Sequence, residues 1–129
     1  MSATFYAVGV GPGDPELITL KALRVLGECH FIGIPTDNPS ASHAYRILLQ
    51  AAPELAHKPI LKLPTPMTRD SAILDKSYAD NAVLVADTLL QGLSVAAITI
   101  GDPSVYAAIH TLLEKIRALG HPTQMIPGV

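Results

Sequence analysis

The stretch Thr4-Phe-Tyr-Ala-Val-Gly-Val-Gly-Pro-Gly-Asp-Pro15 decides the fold that we predict for this chain. It opens with an apolar run typical of a buried strand, and this run stops at a cluster of three glycines. Residues 16–28 return to helical spacing, so the sequence predicts a strand, a glycine-rich turn and a helix in succession. Asp14 stands where its side chain can cap that helix.

The same alternation continues along the chain to residue 126. Further strands are predicted over 30–34, 59–63, 93–100 and 122–126, and further helices over 44–52, 71–91 and 105–119. The helix predicted over 71–91 is expected to bury the stripe Leu74, Tyr78, Ala82, Val85 and Leu89. The helix predicted over 105–119 is expected to bury Ile109, Leu112 and Ile116. Parallel neighbours need crossover connections, so this order predicts an α/β domain over residues 1–129, with a five-stranded, mainly parallel sheet and helices on both faces.

Composition limits the classes of function. The 129 residues are 49 % hydrophobic and 16 % charged, which describes one globular domain and excludes intrinsic disorder. A net charge of −2 provides no basic field for nucleic acid. The single cysteine, Cys29, cannot form an internal disulfide, and we find no secretory signal or membrane-spanning apolar run. We therefore expect a soluble, cytoplasmic protein that binds neither nucleic acid nor membranes.

Two loops of glycine, aspartate and proline follow the first and fourth predicted strands, over 9–15 and 101–106. In a parallel sheet both loops leave the carboxyl ends of the strands, where ligands collect, so we expect them to face one cleft. The first loop matches the dinucleotide fingerprint only in part, because Asp14 occupies the place of its third glycine. Pro12 also lacks the N–H donor that a phosphate would need. The structural alternative is a pair of tight turns that start helices.

Other kinds of site find little support in the sequence. The five histidines show no metal-ligand spacing, so no metal site is predicted. No serine-nucleophile elbow, P-loop or cysteine–histidine pair is present, and we assign no catalytic residue. The basic residues of the middle of the chain are expected to be solvated charges, some of which could meet an acidic substrate. They are Arg46, Lys58, Lys62 and Arg69.

The segment Val8-Gly-Val-Gly-Pro-Gly-Asp-Pro-Glu-Leu-Ile-Thr-Leu-Lys-Ala22 closely resembles the opening signature of the tetrapyrrole methylases, which use S-adenosylmethionine. Their cofactor loop resembles the segment Ile100-Gly-Asp-Pro-Ser-Val-Tyr106. The start of their next loop resembles Ile126-Pro-Gly-Val129. Two middle segments are similar to the C20-methyltransferases of cobalamin biosynthesis. They are Ile34-Pro-Thr with Ser42-His-Ala-Tyr-Arg46, and Leu63-Pro-Thr-Pro-Met-Thr-Arg-Asp70.

This resemblance implies methyl transfer from S-adenosylmethionine to C20 of precorrin-2 or cobalt-factor II, in a homodimeric enzyme. It implies that the cofactor is bound by Pro12, Gly101, Asp102, Val105 and Tyr106. It also implies that Gly11, Gly13 and Asp14 form the floor of the tetrapyrrole site.

Members of this family carry a second α/β domain beyond the point where this chain ends, and the cofactor lies between the two domains. We therefore expect the 129-residue chain to be inactive by itself. The alternatives are a non-catalytic domain that binds a nucleotide or a partner, and another tetrapyrrole methylase such as uroporphyrinogen-III C-methyltransferase. A nicotinamide-dependent oxidoreductase is disfavoured because no acidic residue ends the second strand.

Overall fold

A computed structural model of the chain describes residues 3–36, 38–65, 68–100 and 107–128, with the side chains of the last range from residue 109 onward. Strands and helices alternate as predicted. The strands are β1 (Phe5–Gly9), β2 (Phe31–Ile34), β3 (Ile60–Lys62), β4 (Val95–Thr99) and β5 (Thr123–Ile126). The helices are α1 (Leu20–Glu28), α2 (His43–Ala51), α3 (Ser71–Leu90) and α4 (Ala107–Ala118).

The five strands form one sheet in the order β3-β2-β4-β1-β5, and every neighbouring pair is parallel. The prediction of a five-stranded parallel α/β sheet is therefore confirmed. Strands β1 and β2 follow each other along the chain but are not neighbours in the sheet. Strand β4 lies between them and pairs with β1 on one side and with β2 on the other.

Both faces of the sheet are covered by helices, and alternate strand residues supply the two cores. On β4, Ala96 and Ile98 join the core beneath α1 and α2, whereas Val95 and Ala97 join the core beneath α3 and α4. All five residues of β4 are buried, as expected for a central strand with both faces covered. The predicted stripe of Ile109, Leu112 and Ile116 on α4 is confirmed, since all three are buried.

The prediction of one helix over residues 16–28 is wrong in its first part. Pro15–Leu17 form a separate 3₁₀ turn, Ile18 is extended and buried, and α1 begins after Thr19. Two caps produce this division: Asp14 Oδ1 accepts from the Glu16 N–H at 2.9 Å, and Thr19 Oγ1 accepts from the Ala22 N–H at 3.0 Å. Each cap satisfies a backbone donor that has no helical partner, so two short elements replace one long helix.

The first half of helix α3 contributes no residue to the core. The buried residues of α3 begin at Asn81, whose amide donates to the Pro64 carbonyl at 2.9 Å just after β3. The ten residues before Asn81, 71–80, correspond to about 15 Å of helix, and none of them is buried. The prediction of Leu74 and Tyr78 as core residues is therefore wrong, since both are only half-buried. Neither this helix nor another in the described ranges has the length and hydropathy needed to cross a membrane.

Two glycines provide a test of the packing between β2 and its neighbours. A Cβ on Gly33 in β2 would lie 3.0 Å from Leu63 Cδ1 and 3.2 Å from Ala97 Cα, whereas a Cβ on Gly27 in α1 would meet nothing within 4 Å. We expect Gly33→Ala to lower the free energy of unfolding by about 1–3 kcal/mol, because the backbone of β4 cannot move away. Gly27→Ala should raise that free energy by about 0.5 kcal/mol. Urea unfolding measures the free energy of unfolding of both variants. Equal changes in that free energy for the two variants would contradict the close packing around Gly33.

Candidate functional site

The carboxyl ends of β1 and β4 lie side by side, because Gly9 pairs with Thr99. From β1 the chain crosses to β2 by α1 on one face of the sheet, and from β4 it crosses to β5 by α4 on the other face. The two connections therefore go to opposite faces, and the crevice is expected between them above Gly9 and Thr99. In open parallel sheets this switch point is the usual place for a ligand.

The first glycine loop stands at this crevice and needs its glycines for their backbone conformation. Gly11 has a φ of +91° and Gly13 a φ of +144°, which side chains rarely adopt. The Val10 N–H donates to the Thr99 carbonyl at 2.9 Å, so the loop is tied to β4 where β1 ends. Pro12 and Asp14 are exposed at the surface of the loop. The predicted capping role of Asp14 is confirmed, although it caps a 3₁₀ turn rather than α1.

The second loop lies outside the described residues, and with it the predicted cofactor residues Gly101, Asp102, Val105 and Tyr106. Its attachment points are described: it follows Ile100 directly after β4 and ends where α4 begins. Because Gly9 pairs with Thr99, both loops leave the sheet from adjacent strand ends. The assignment of these residues to a cofactor, and of Gly11, Gly13 and Asp14 to a substrate, stays a prediction.

The edge formed by the carboxyl ends of the strands is called the carboxyl edge of the sheet. A cavity of about 240 Å³ opens at this edge, beside the crevice. It lies between the two helical layers, since one wall is the start of α2 and the other includes Ile109 of α4. Its described lining is mostly apolar and comprises Pro35, Ser42, His43, Ala44, Ile98, Thr99, Ile100 and Ile109. Ser42 caps α2 by accepting from the Tyr45 N–H at 3.2 Å, which leaves the exposed His43 at the rim.

A larger cavity of about 370 Å³ lies at the opposite, amino edge of the sheet and does not fit the site. Its polar groups bond to one another: the Ser94 N–H donates to His30 Nδ1 at 3.1 Å, and Ser94 Oγ accepts from the Thr4 N–H at 3.1 Å. Burial raises the pKa of the neighbouring Cys29 thiol to about 12, so this thiol is protonated at neutral pH and is no nucleophile. We therefore place the functional site at the carboxyl edge.

The sequence did not reveal two features of the structure. They are the cavity beside His43, between α2 and α4, and the contact of Asn81 in α3 with the Pro64 carbonyl. A signal for the first was present, because Ser42 and His43 follow closely on β2 and open a helix. Among the described residues no group of three histidines, cysteines or carboxylates could hold a metal.

The fold defines a class: a parallel α/β domain with a glycine loop at the carboxyl edge of its sheet. The comparison with protein families goes further. The family model of the Tetrapyrrole (Corrin/Porphyrin) Methylases matches residues 4–129, and the chain belongs to this family.

Individual relatives agree on the family but differ in the reaction that they catalyse. The chain is 34 % identical over 126 residues to a precorrin-4 C(11)-methyltransferase of Pseudomonas aeruginosa, covering 98 % of this chain and 43 % of that protein. It is 35 % identical over 125 residues to a probable cobalt-precorrin-2 C(20)-methyltransferase of Methanocaldococcus jannaschii, covering 96 % and 52 %. The chain thus spans about half the length of these relatives.

Solved structures give the same result for the fold. A cobalamin synthesis related protein (CobF) of Corynebacterium diphtheriae superposes with a TM-score of 0.71 at 29 % identity, over all of this chain and 54 % of that one. A uroporphyrin-III C-methyltransferase of Thermus thermophilus, with a TM-score of 0.66 at 24 % identity over 98 % of this chain and 45 % of that one, was crystallised with S-adenosylhomocysteine. The prediction of S-adenosylmethionine as the cofactor is confirmed at the level of the methylase family to which the chain belongs.

Proposed function

We propose that this protein takes part in the methylation of C20 of precorrin-2 or cobalt-factor II, with S-adenosylmethionine as the methyl donor. The observation that carries the proposal is the glycine loop at the β1–β4 crevice, in a chain that matches the tetrapyrrole methylases almost from end to end. The choice of C20 rests on the segments around Ser42 and after Leu63, together with the similarity to the M. jannaschii protein. A cytoplasmic homodimer remains our expectation for the whole protein.

The residues at the crevice fit this cofactor better than a dinucleotide. Pro12 provides no N–H for a phosphate, and the exposed carboxylate of Asp14 would repel a pyrophosphate. S-adenosylmethionine has no phosphate and carries a positive sulfonium, so neither residue opposes it. Close approach of the backbone is possible because Gly11 and Gly13 have no side chains.

The chemistry requires orientation more than acid–base catalysis. When bound, the cofactor would supply an activated methyl group to an electron-rich ring carbon. The chain's contribution would be to hold the two reactants in line, and well-oriented reactants can gain about 7–11 kcal/mol. Gly101, Asp102, Val105, Tyr106 and Pro12 would hold the cofactor, and Gly11, Gly13 and Asp14 would support the macrocycle. This division agrees with a crevice built from backbone-rich loops.

Binding of the cofactor is the first test. We expect a version of the chain extended by the C-terminal half of the M. jannaschii relative to bind S-adenosylhomocysteine in calorimetry and to ignore NAD. Asp102→Ala should weaken this binding by about 1–3 kcal/mol, because a polar partner of the ligand is lost. The matched control is Asp87→Ala on the exposed surface of α3, which should bind as the parent does. Tight binding of NAD without S-adenosylhomocysteine would reject the methylase proposal.

Methyl transfer is the second test, and it compares the chain alone with the extended version. Cofactor-sized ligands usually bury about 70–90 % of their surface, and one domain offers a single wall, so we expect the chain alone to be inactive. The extended version should transfer labelled methyl groups to precorrin-2 in preference to precorrin-4 and uroporphyrinogen III. Preferred methylation of precorrin-4 or of uroporphyrinogen III would show that the protein acts on that substrate and not on precorrin-2. Equal turnover by the two versions would show that the single domain holds a complete site.

A further inference from the structure

The basic side chains of the described residues fall into two groups, those with a carboxylate partner and those without one. Arg24, Lys76 and Arg117 form ion pairs with carboxylates three or four residues away. Arg46, in the first turn of α2, and Lys62, the last residue of β3, are exposed, and no carboxylate of the described ranges lies within 4 Å of either. Arg46 reaches only the Ala41 carbonyl, at 3.4 Å. With respect to the carboxylates of the described residues, both charges are available to a ligand.

These two cations and His43 stand around one end of the site. Lys62 pairs in register with Ile34, so it ends β3 where β2 ends, and His43 lines the 240 Å³ cavity that opens beside β2. Arg46 lies one turn after His43 on α2. Helix α2 also packs against the turn Pro15–Leu17 that follows the first glycine loop. The basic residues therefore border the same edge as the loop.

Acidic residues lie beside β1. Asp14 and Glu16 are exposed there, and Lys62 at the end of β3 is three strand spacings away, or about 14 Å. A macrocycle with acidic side chains is large enough to span this distance. Its carboxylates would be repelled by Asp14 and Glu16 and attracted to Lys62, while its pyrrole N–H groups could donate to the carboxylate of Asp14. His43 and Arg46 lie on α2, which packs against the turn that carries Glu16, so the orientation of such a ligand depends mainly on Lys62.

We propose that His43, Arg46 and Lys62 bind the peripheral carboxylates of the tetrapyrrole, and that they select macrocycles that carry several of them. This inference rests on the proposed function, since it specifies the substrate end of the same site. The apolar cavity beside His43 holds the edge of a ring, and the cations fix its acidic substituents.

Fluorescence titration of the 129-residue chain with two porphyrins tests this proposal. The probes are uroporphyrin, with an acetate and a propionate on every pyrrole ring, and coproporphyrin, with methyl groups in place of the acetates. Arg46→Gln with Lys62→Gln should weaken uroporphyrin binding about tenfold, since each exposed charge contact contributes a few-fold. The double variant should also lose the preference of the wild type for uroporphyrin. His43→Gln should show the same change with a smaller amplitude.

The matched control removes the same charges elsewhere, by Lys115→Gln with Arg117→Gln in the last turn of α4, and should bind as the wild type does. Equal loss in both double variants would show unspecific attraction and overturn the proposal, as would unchanged binding in the Arg46/Lys62 variant. The single variants at these exposed positions replace the double one if it fails to fold. Absence of porphyrin binding alongside intact S-adenosylhomocysteine binding by the extended version would refute the carboxylate site alone. Loss of both would refute the proposed function.

Discussion

The pairing of β1 with β4 is the constraint on which the rest of this structure depends. The chain leaves β1 for β2 without pairing the two, and the place between them is later filled by Val95–Thr99. Because this strand is buried on both faces, it joins the two hydrophobic cores into one domain. The same pairing sets the ends of β1 and β4 side by side at Gly9 and Thr99, where the chain continues to opposite faces of the sheet. The stability of the fold and the position of the site therefore have one origin.

Much of this arrangement could be predicted from the sequence, because local patterns determine it. The strands and helices follow from apolar periodicity, and the positive φ values of Gly11 and Gly13 agree with a glycine loop after the first strand. The division of the predicted helix at Ile18 could not be predicted with the same ease. Its cause is a competition between two caps and the burial of one isoleucine, and helical periodicity contains no signal for such a competition.

Long-range features could not be predicted from the sequence for a different reason. The order of the strands depends on which pairs bury the most surface, and the contact between Asn81 and Pro64 joins residues that no local pattern relates. The cavity beside His43 results from that order, since α2 and α4 flank it from opposite faces of the sheet. The resemblance to the tetrapyrrole methylases located the glycine loops, and the sequence named Arg46 and Lys62 as possible contacts of an acidic substrate, but it did not place them near each other. These charges become interpretable only when Lys62 and Arg46 are placed at one edge.

The central claim is that the cofactor binds where β1 and β4 end. Titration of the ¹⁵N-labelled chain with S-adenosylhomocysteine, followed by two-dimensional NMR, tests it directly, because weak binding to a single wall still shifts amide signals. We expect the amides of Gly11 and Gly13 and those of residues 101, 102 and 104–106 to shift together along one binding curve. The amides of His30 and Ser94, at the amino edge, should stay in place. Shifts concentrated at His30 and Ser94, with none at the glycine loop, would contradict the claim.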